Sequence, residues 1–316
     1  MEHLLLTKIK NYHRIIIFGH MNPDGDCYGS QVALKEIIKA NFPEKEVYIV
    51  GTGVPALYPV FGKLDIIPDE YFHESLGILV DLNERCRSED KRVYLCKELG
   101  IIDHHHLSED AILYEKTSYI NSKYASCASV LYEIANLLHA QLSLTAKNAL
   151  LYAIVSDTNR FLYIEDNHVS LSYGYQLIEG GADLRLISSH SQIINIKDFK
   201  LKSYILANYK EYNGRIFYCK IPLNFLKSIG YERYAGWQVG LLGHVQDHPI
   251  WVLFVEEEDD YMSVELRSNT YIVVDVAAKY GGGGHDYASG ITHRQLGEDI
   301  VESVLKDLDN LIDGSK

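Results

Sequence analysis

The chain has 316 residues, 47% of them hydrophobic, and 43 acidic against 30 basic residues give it a formal net charge of −13. That length suggests about two domains with ordinary cores, and the acidic balance argues against long duplex nucleic acid, whose readers carry a basic footprint. A short phosphorylated ligand stays open if cations neutralise it locally. The sequence has no apolar run of about 18 residues, and residues 1–11 lack the apolar core of a signal peptide, so a cytoplasmic protein without membrane association is expected.

Cysteines stand at 27, 86, 96, 127 and 219, an odd count with no CxxC pair. Reduced thiols fit this better than a disulfide framework or a zinc-thiolate site. In chain order, Leu4 to Tyr12 reads as a short amphipathic helix. Ile15-Ile16-Ile17-Phe18 reads as a buried parallel strand. It breaks into Gly19-His20-Met21-Asn22-Pro23-Asp24-Gly25-Asp26, a turn by composition. A helix follows over Ser30 to Asn41, then a strand over Val47 to Val50 and an irregular stretch from Leu57 to Phe72. Leu76 to Val80 is a strand ending on Asp81, and Leu99 to Ile102 a strand ending on Asp103-His104-His105-His106. Ser126 to Leu138 and Thr145 to Ser156 have helical apolar spacing, the second closing on Asp157.

Alternating strands and helices predict an α/β fold: a mostly parallel sheet with helices on both faces, over residues 1–185. Residues 186–205 read as a helical linker. The remainder, 206–316, reads as a smaller α+β domain. Arg215 to Pro222, Ile250 to Val255 and the alternating Tyr261 to Arg267 are its strands, the last two joined through the acidic tip Glu256 to Asp260. Asp275 to Lys279 starts a helix that stops at Gly281-Gly282-Gly283-Gly284-His285, and Glu298 to Ile312 is a final amphipathic helix.

His20, Asp24, Asp26, Asp81, Asp103, His104, His105 and Asp157 each sit where an apolar element exits into a loop. A parallel sheet brings such exits to one edge. Any one of these acids, taken alone, fits a helix cap or a β-turn. Gathered together they would repel unless cations neutralise them. Two divalent metals sharing a carboxylate would do so, and could activate water against a phosphoryl centre. Mixed His and Asp donors without Cys suit manganese better than magnesium alone.

Taken as a set, His20-Met21-Asn22-Pro23-Asp24-Gly25-Asp26, Asp81, Asp103-His104-His105 and Asp157 resemble the motifs of the DHH phosphoesterase superfamily. Gly281 to His285, preceded by Arg267-Ser268, is similar to its GGGGH-type associated domain and unlike that of the family II inorganic pyrophosphatases. The resemblance covers nearly the whole chain. It implies an active site in the cleft between two domains and two divalent cations, manganese expected, magnesium or cobalt the alternatives. His20, Asp24 and Asp81 would hold one metal; Asp26, Asp81, His104 and Asp157 the other, with Asp81 bridging. His105 would act beside the scissile phosphate, and Asp103 would orient a His rather than bind metal. Arg267, Ser268, Gly282, Gly283, Gly284 and His285 would bind substrate, the glycines by letting backbone N–H groups approach a phosphate.

The implied enzyme hydrolyses short oligoribonucleotides to mononucleotides, and 3′-phosphoadenosine-5′-phosphate (pAp) to AMP, by two-metal-activated water. The competing readings are a phosphodiesterase for cyclic dinucleotides or linear pApA, and a nucleotide-binding regulatory protein with a relic site. Every implied ligand and His105 are present, which favours an enzyme. The partner is then a short RNA or small nucleotide, and the resemblance leaves room for a homodimer. Two positions depart from the family pattern: Asn159 stands where Gly is frequent, and Cys27 where a small apolar residue is usual. His106 reads as a bystander or as a residue that supports the ligands from behind.

Overall fold

The structure, a computed structural model, describes residues 4–112, 115–162, 168–191, 193–258, 261–295 and 300–314. It divides into two compact units, Met1–Ile193 and Ile194–Lys316. No helix among the described residues is long and apolar enough to cross a membrane.

In the first unit, β1 (Arg14–Phe18), β2 (Glu46–Val50), β3 (Leu76–Val80), β4 (Glu98–Asp103) and β5 (Ser118–Ile120) form a five-stranded sheet in the order β2-β1-β3-β4-β5. All four pairings are parallel. The chain turns back on itself between β1 and β3, and a sheet of this order binds ligands at that switch point, outside the carboxyl ends of the strands. β1 is buried on both faces, which is why it carries three isoleucines in a row. Ile15 and Ile17 pack with the helices, while Ile16 and Phe18 pack with Ile67, Phe72 and Val93 on the other side.

The helices of this unit are α1 (Leu4–Asn11), α2 (Gly25–Asn41), α3 (Tyr58–Phe61), α4 (Glu109–Ile112), α5 (Cys127–Leu137), α6 (Leu144–Asp157), α7 (Val169–Glu179) and α8 (Leu184–Ser191). The long ones gather on one face; the side of Ile16 and Phe18 is closed by irregular chain with single helical turns. α2 begins five residues before the expected Ser30. Asp24 caps it, accepting the Cys27 N–H at 3.0 Å, so the acid-rich stretch is the first turn of the helix.

The second unit has α9 (Ile196–Asn208), β6 (Lys210–Tyr212), β7 (Ile216–Ile221), α10 (Leu223–Ser228), β8 (Ile250–Glu256), β9 (Tyr261–Ser268), α11 (Val274–Lys279), β10 (Gly283–His285), β11 (Ala288–Gln295) and α12 (Ile300–Gly314). Its six-stranded sheet runs β10-β11-β9-β8-β7-β6. β7 and β8 are parallel and the other pairings antiparallel; β8 and β9, expected as neighbours around the acidic tip, form one of the antiparallel pairs. Val252, Phe254, Val264 and Leu266 pack under α11 and α12. Trp251, Leu253 and Val255 pack under α9, α10 and a 3-10 segment, Ala235–Leu242. The unbroken apolar run of β8 therefore reflects burial on both faces. Asp259 and Asp260 of the expected acidic tip, Asp166 and Asn167, and Glu298 at the expected start of the last helix lie outside the described residues.

The tetraglycine run is partly strand. α11 stops at Lys279, Gly281 has φ +78°, and Gly283–His285 then adds to the sheet edge. A Cβ on Gly282 would stand 2.2 Å from the Gly290 carbonyl oxygen, and one on Gly284 2.7 Å from that of Ala288. These glycines let one strand lie flat on the next.

Candidate active site

The carboxyl ends of β1, β3 and β4, the first turn of α2 and the last residue of α6 place the expected acids and imidazoles together. Asp81 is central. It follows β3 with φ +61°, a conformation that costs a non-glycine residue roughly 1–3 kcal/mol and turns its carboxylate into the cluster. Nε2 of His20 lies 3.5 Å from its Oδ2, and Nε2 of His104 3.4 Å from its Oδ1. Oδ1 is buried and has no hydrogen-bond partner.

Both imidazoles are fixed from behind. Nδ1 of His20 meets the Met21 carbonyl at 2.9 Å, and Nδ1 of His104 the Tyr124 carbonyl at 3.2 Å. A carbonyl accepts only from N–H, so the proton of each neutral ring sits on Nδ1 and the Nε2 lone pair faces the carboxylates. Nε2 of His104 is also 3.9 Å from Oδ2 of Asp26 and 3.5 Å from Oδ2 of Asp157. Nε2 of His20 is 3.9 Å from Oδ1 of Asp24.

Asp26, 1% exposed, is held by the start of α5. Its Oδ2 accepts the Cys127 N–H at 2.6 Å; its Oδ1 accepts the Ala128 N–H and the Ser30 hydroxyl, each at 3.1 Å. A helix N-terminus leaves such N–H groups without intrahelical partners and favours an anion there. Nothing in the sequence marks this partnership, which spans 101 positions.

Asp103 is fully buried, and both its oxygens are engaged by hydrogen bonds. Its Oδ1 accepts the His104 N–H and the Nδ1–H of His105, both at 2.8 Å. Its Oδ2 accepts from Nδ2 of Asn83 at 2.5 Å, and the same Asn83 amide donates to the His106 carbonyl at 3.0 Å. Asn83 is a member of the site that sequence reading passes over; its only signal is the position two residues after Asp81. His105 is half-exposed, and its Nδ1 also lies 3.7 Å from Oδ1 of Asp81. His106 contributes its backbone and exposes its side chain. At the other end, Asn159 has φ +44°, the left-handed turn that Gly would provide and Asn tolerates.

The electrostatics are those of crowded acids. Burial pushes the Asp26 carboxyl well above its ordinary range, and Asp81 and Asp157 push it further. Burial also raises Asp157, to about 6, against the pull of His104. Burial lowers the two imidazoles, but the surrounding carboxylates outweigh it and leave His20 at about 9 and His104 at about 10. Donor atoms of Asp26, His104 and Asp157 lie within 4.8 Å of one another, as do those of Asp81, His104 and His105 and those of His20, Cys27 and Asp81. Burial holds Cys27 as a thiol, with its pKa well above the ordinary value, and it packs as a small apolar residue. An orphaned carboxylate oxygen, two inward lone pairs and uncompensated acids form a donor set that a divalent cation fits.

The second unit places Arg267, Ser268 and His285 at one end of its sheet. Arg267 pairs across to Ala288, and Ala288 to His285. Nη2 of Arg267 meets Oε2 of Glu265 at 2.9 Å, and Nη1 donates to the Leu266 and Ser289 carbonyls at 2.8 and 3.2 Å. The Ser268 hydroxyl accepts the Thr270 and Tyr271 N–H groups, at 3.0 and 2.7 Å, and so closes the turn after β9. Gly283, Gly284 and His285 are exposed.

Residues 14–156 match the N-terminal domain of the DHH family, and residues 233–314 match the DHHA1 domain. A Streptococcus mutans protein named probable bifunctional oligoribonuclease and PAP phosphatase NrnA is 34% identical over 313 residues, 98% of both chains. The Bacillus subtilis protein of that name, without "probable", is 32% identical over 317 residues, also 98% of both. Its Mycoplasma genitalium counterpart is 32% identical over 313 residues, 95% of this chain and 96% of the relative. Among solved structures, an exopolyphosphatase-related protein from Bacteroides fragilis shares the fold, with a TM-score of 0.83 at 18% identity over 98% of this chain and 96% of that one. With relatives this similar along nearly its whole length, the chain belongs to the DHH family of phosphoesterases and is a hydrolase with a DHHA1 domain.

Proposed function

We propose that this enzyme hydrolyses short oligoribonucleotides to mononucleotides and pAp to AMP, using two divalent cations, manganese by preference. The observation that carries the reading is the Asp81 carboxylate between two inward-facing imidazoles, its Oδ1 buried without a hydrogen bond, with Asp26 and Asp157 beside His104. The names of the relatives at 32–34% identity supply the substrate class.

In this reading His20, Asp24 and Asp81 hold one cation, and Asp26, Asp81, His104 and Asp157 the other. Bound there, the cations would polarise phosphoryl oxygens and lower the pKa of water enough to make it a nucleophile at neutral pH. Asp103 fixes the ring of His105 through Nδ1–H, so that Nε2 is the atom available to steady the phosphate or to give a proton to the leaving oxygen. Residues 206–316 serve substrate binding, with Arg267, Ser268, the glycines 282–284 and His285 as the anion-contacting group. A neutralised metal site explains how a chain of net charge −13 accepts a phosphorylated ligand.

The test is a substrate panel. Protein stripped with a chelator is reloaded with manganese, magnesium or cobalt and offered RNA of a few residues, pAp and linear pApA. Hydrolysis of short RNA and pAp, strongest with manganese, is expected. No hydrolysis of any of them with any of the cations would overturn the reading; strong preference for pApA would move it to dinucleotide turnover.

A further inference from the structure

On β9, Met262, Val264 and Leu266 face the α11 and α12 side of the sheet. Ser263, Glu265 and Arg267 alternate with them and face the other side. Their partners on β8 are Val255, Leu253 and Trp251, which pack under the 3-10 segment Ala235–Leu242. Toward the sheet edge the same face carries Gly290 opposite Glu265 and Ala288 opposite Arg267, then Gly283 and His285. A Cβ on Gly283 would meet nothing within 4 Å, and one on Gly290 comes no closer than 3.6 Å, to Oε1 of Glu265. The result is an open shelf of glycine and alanine beside Arg267.

At the start of the 3-10 segment stands Trp237, 48% exposed. Tyr234 meets it edge-on, ring centroids 6.2 Å apart at 88°, and the Arg233 guanidinium lies 5.4 Å from its ring centroid. The Tyr234 hydroxyl donates to Oε1 of Glu265 at 2.9 Å, and Oε2 of Glu265 holds Nη2 of Arg267 at 2.9 Å. One continuous set of contacts thus links an exposed indole to the guanidinium of Arg267.

We propose that Trp237, steadied by Arg233 and Tyr234, is the surface on which a nucleobase of the substrate stacks, over the Gly283–Gly290–Ala288 shelf. An exposed aromatic with guanidinium groups around it is the pattern that binds single-stranded nucleotides, because every base offers a π-face and every nucleotide a phosphate. The Tyr234–Glu265–Arg267 chain fixes the distance between the stacking surface and Arg267. The inference deepens the substrate reading above and rests on it for Arg267 as the phosphate contact; the stacking itself has its own readout.

The chain has two tryptophans, and Trp251 is buried, so fluorescence quenching on binding reports Trp237. The manganese-loaded full chain is titrated with AMP and with ribose 5-phosphate, affinities being read in parallel by calorimetry. AMP is expected to quench and to bind about tenfold or more tighter than ribose 5-phosphate, which leaves the fluorescence unchanged. Trp237→Ala should weaken AMP about tenfold and leave ribose 5-phosphate unchanged; Trp237→Phe should keep AMP affinity within a few fold and lose the quench. Equal affinity of the two ligands in the wild type, or unchanged AMP affinity in Trp237→Ala, would overturn the proposal, as would failure of AMP to bind. A protein that binds AMP through its base yet hydrolyses nothing in the substrate panel would sink the hydrolytic reading and leave the stacking surface standing.

Discussion

Nε2 of His104 stands 3.4 Å from Oδ1 of Asp81, and that oxygen is buried with no hydrogen bond. His20 faces the other oxygen of the same carboxylate at 3.5 Å. With Nδ1 of each ring given to a carbonyl, lone pair faces lone pair unless a cation or a proton lies between. Asp81→Asn is a clean probe, because Asn tolerates the left-handed backbone at this position. The variant should fold, with a metal-free Tm within a few degrees of the wild type. It should lose the manganese-induced stabilisation, which for one site is about 2.7 kcal/mol at a hundred times Kd. Thermal unfolding with and without manganese reads both, and an undiminished shift in the variant would remove Asp81 from the ligand set.

Without metal, protons do the neutralising. The folded pKa of His20, about 9, and of His104, about 10, lie above the ordinary imidazole value of 6.5, and that of Asp157, about 6, lies above the ordinary carboxyl value of 3.8. Over each of those intervals the folded protein binds more protons than the unfolded chain, so stability falls as pH rises. Asp157 contributes this fall between pH 3.8 and about 6, and the two imidazoles between pH 6.5 and about 10. Metal binding must displace the same protons, so the manganese increment in Tm should grow from pH 6.5 to pH 9 while the chelated protein grows less stable. Calorimetric titration in buffers of different ionisation enthalpy should show proton release. A manganese increment that shrinks with pH would contradict the assignment.

Asp26 has a structural duty beside its proposed place among the metal ligands. Its carboxylate receives the first N–H groups of α5, from Cys127 and Ala128. Asp26→Ala leaves them buried without a partner, at a cost of about 2 kcal/mol, partly offset by relief of the repulsion from Asp81 and Asp157. Asp26→Asn keeps an acceptor and should cost less. Urea unfolding of the metal-free proteins separates the two; equal stability of Asp26→Ala and wild type would mean that α5 is capped by other means.

Asp103 touches the imidazole of His105 and the amide of Asn83. Asp103→Asn should keep manganese binding and lower kcat roughly 10–100-fold with little change in KM, because it frees the ring proposed to act at the phosphate. Lost manganese binding in this variant would place Asp103 among the ligands instead.

Much of the first unit was legible because its signals are local. Ile15 to Phe18 announces a buried parallel strand, and its turn, Asp81, Asp103-His104-His105 and Asp157 lie at element ends that sequence alone can locate. What stayed hidden depends on partners far along the chain. Asp26 meets Cys127 from 101 positions away, and Asn83 meets Asp103 from 20 away, with no local pattern to mark either. β5 and β6 are three-residue strands, too short to show a period. β11 carries Ser289 and Gly290 in place of an apolar alternation, since one of its faces is the open shelf. The early start of α2 was masked by Gly25 and Gly29, which read as breakers but serve packing.

Gly29 shows that packing role most sharply. On helix propensity alone, Gly29→Ala would stabilise α2 by about 1 kcal/mol. A Cβ there, however, would stand 2.8 Å from the Ala149 carbonyl oxygen, 2.8 Å from the Ala153 Cβ and 3.3 Å from the Ala153 nitrogen. These are backbone and methyl atoms of α6, and none can rotate aside. Overpacking of this kind costs about 1–3 kcal/mol, which offsets the propensity gain and leaves a net loss of up to about 2 kcal/mol. The effect should reach the site, because α2 carries Asp26 in its first turn and α6 ends on Asp157. Prying the helices apart draws those two carboxylates away from the shared neighbour His104 and should weaken manganese binding several-fold. Urea unfolding and manganese titration of Gly29→Ala check both halves, and a variant that is more stable with unchanged affinity would show that the two helices have room to spare.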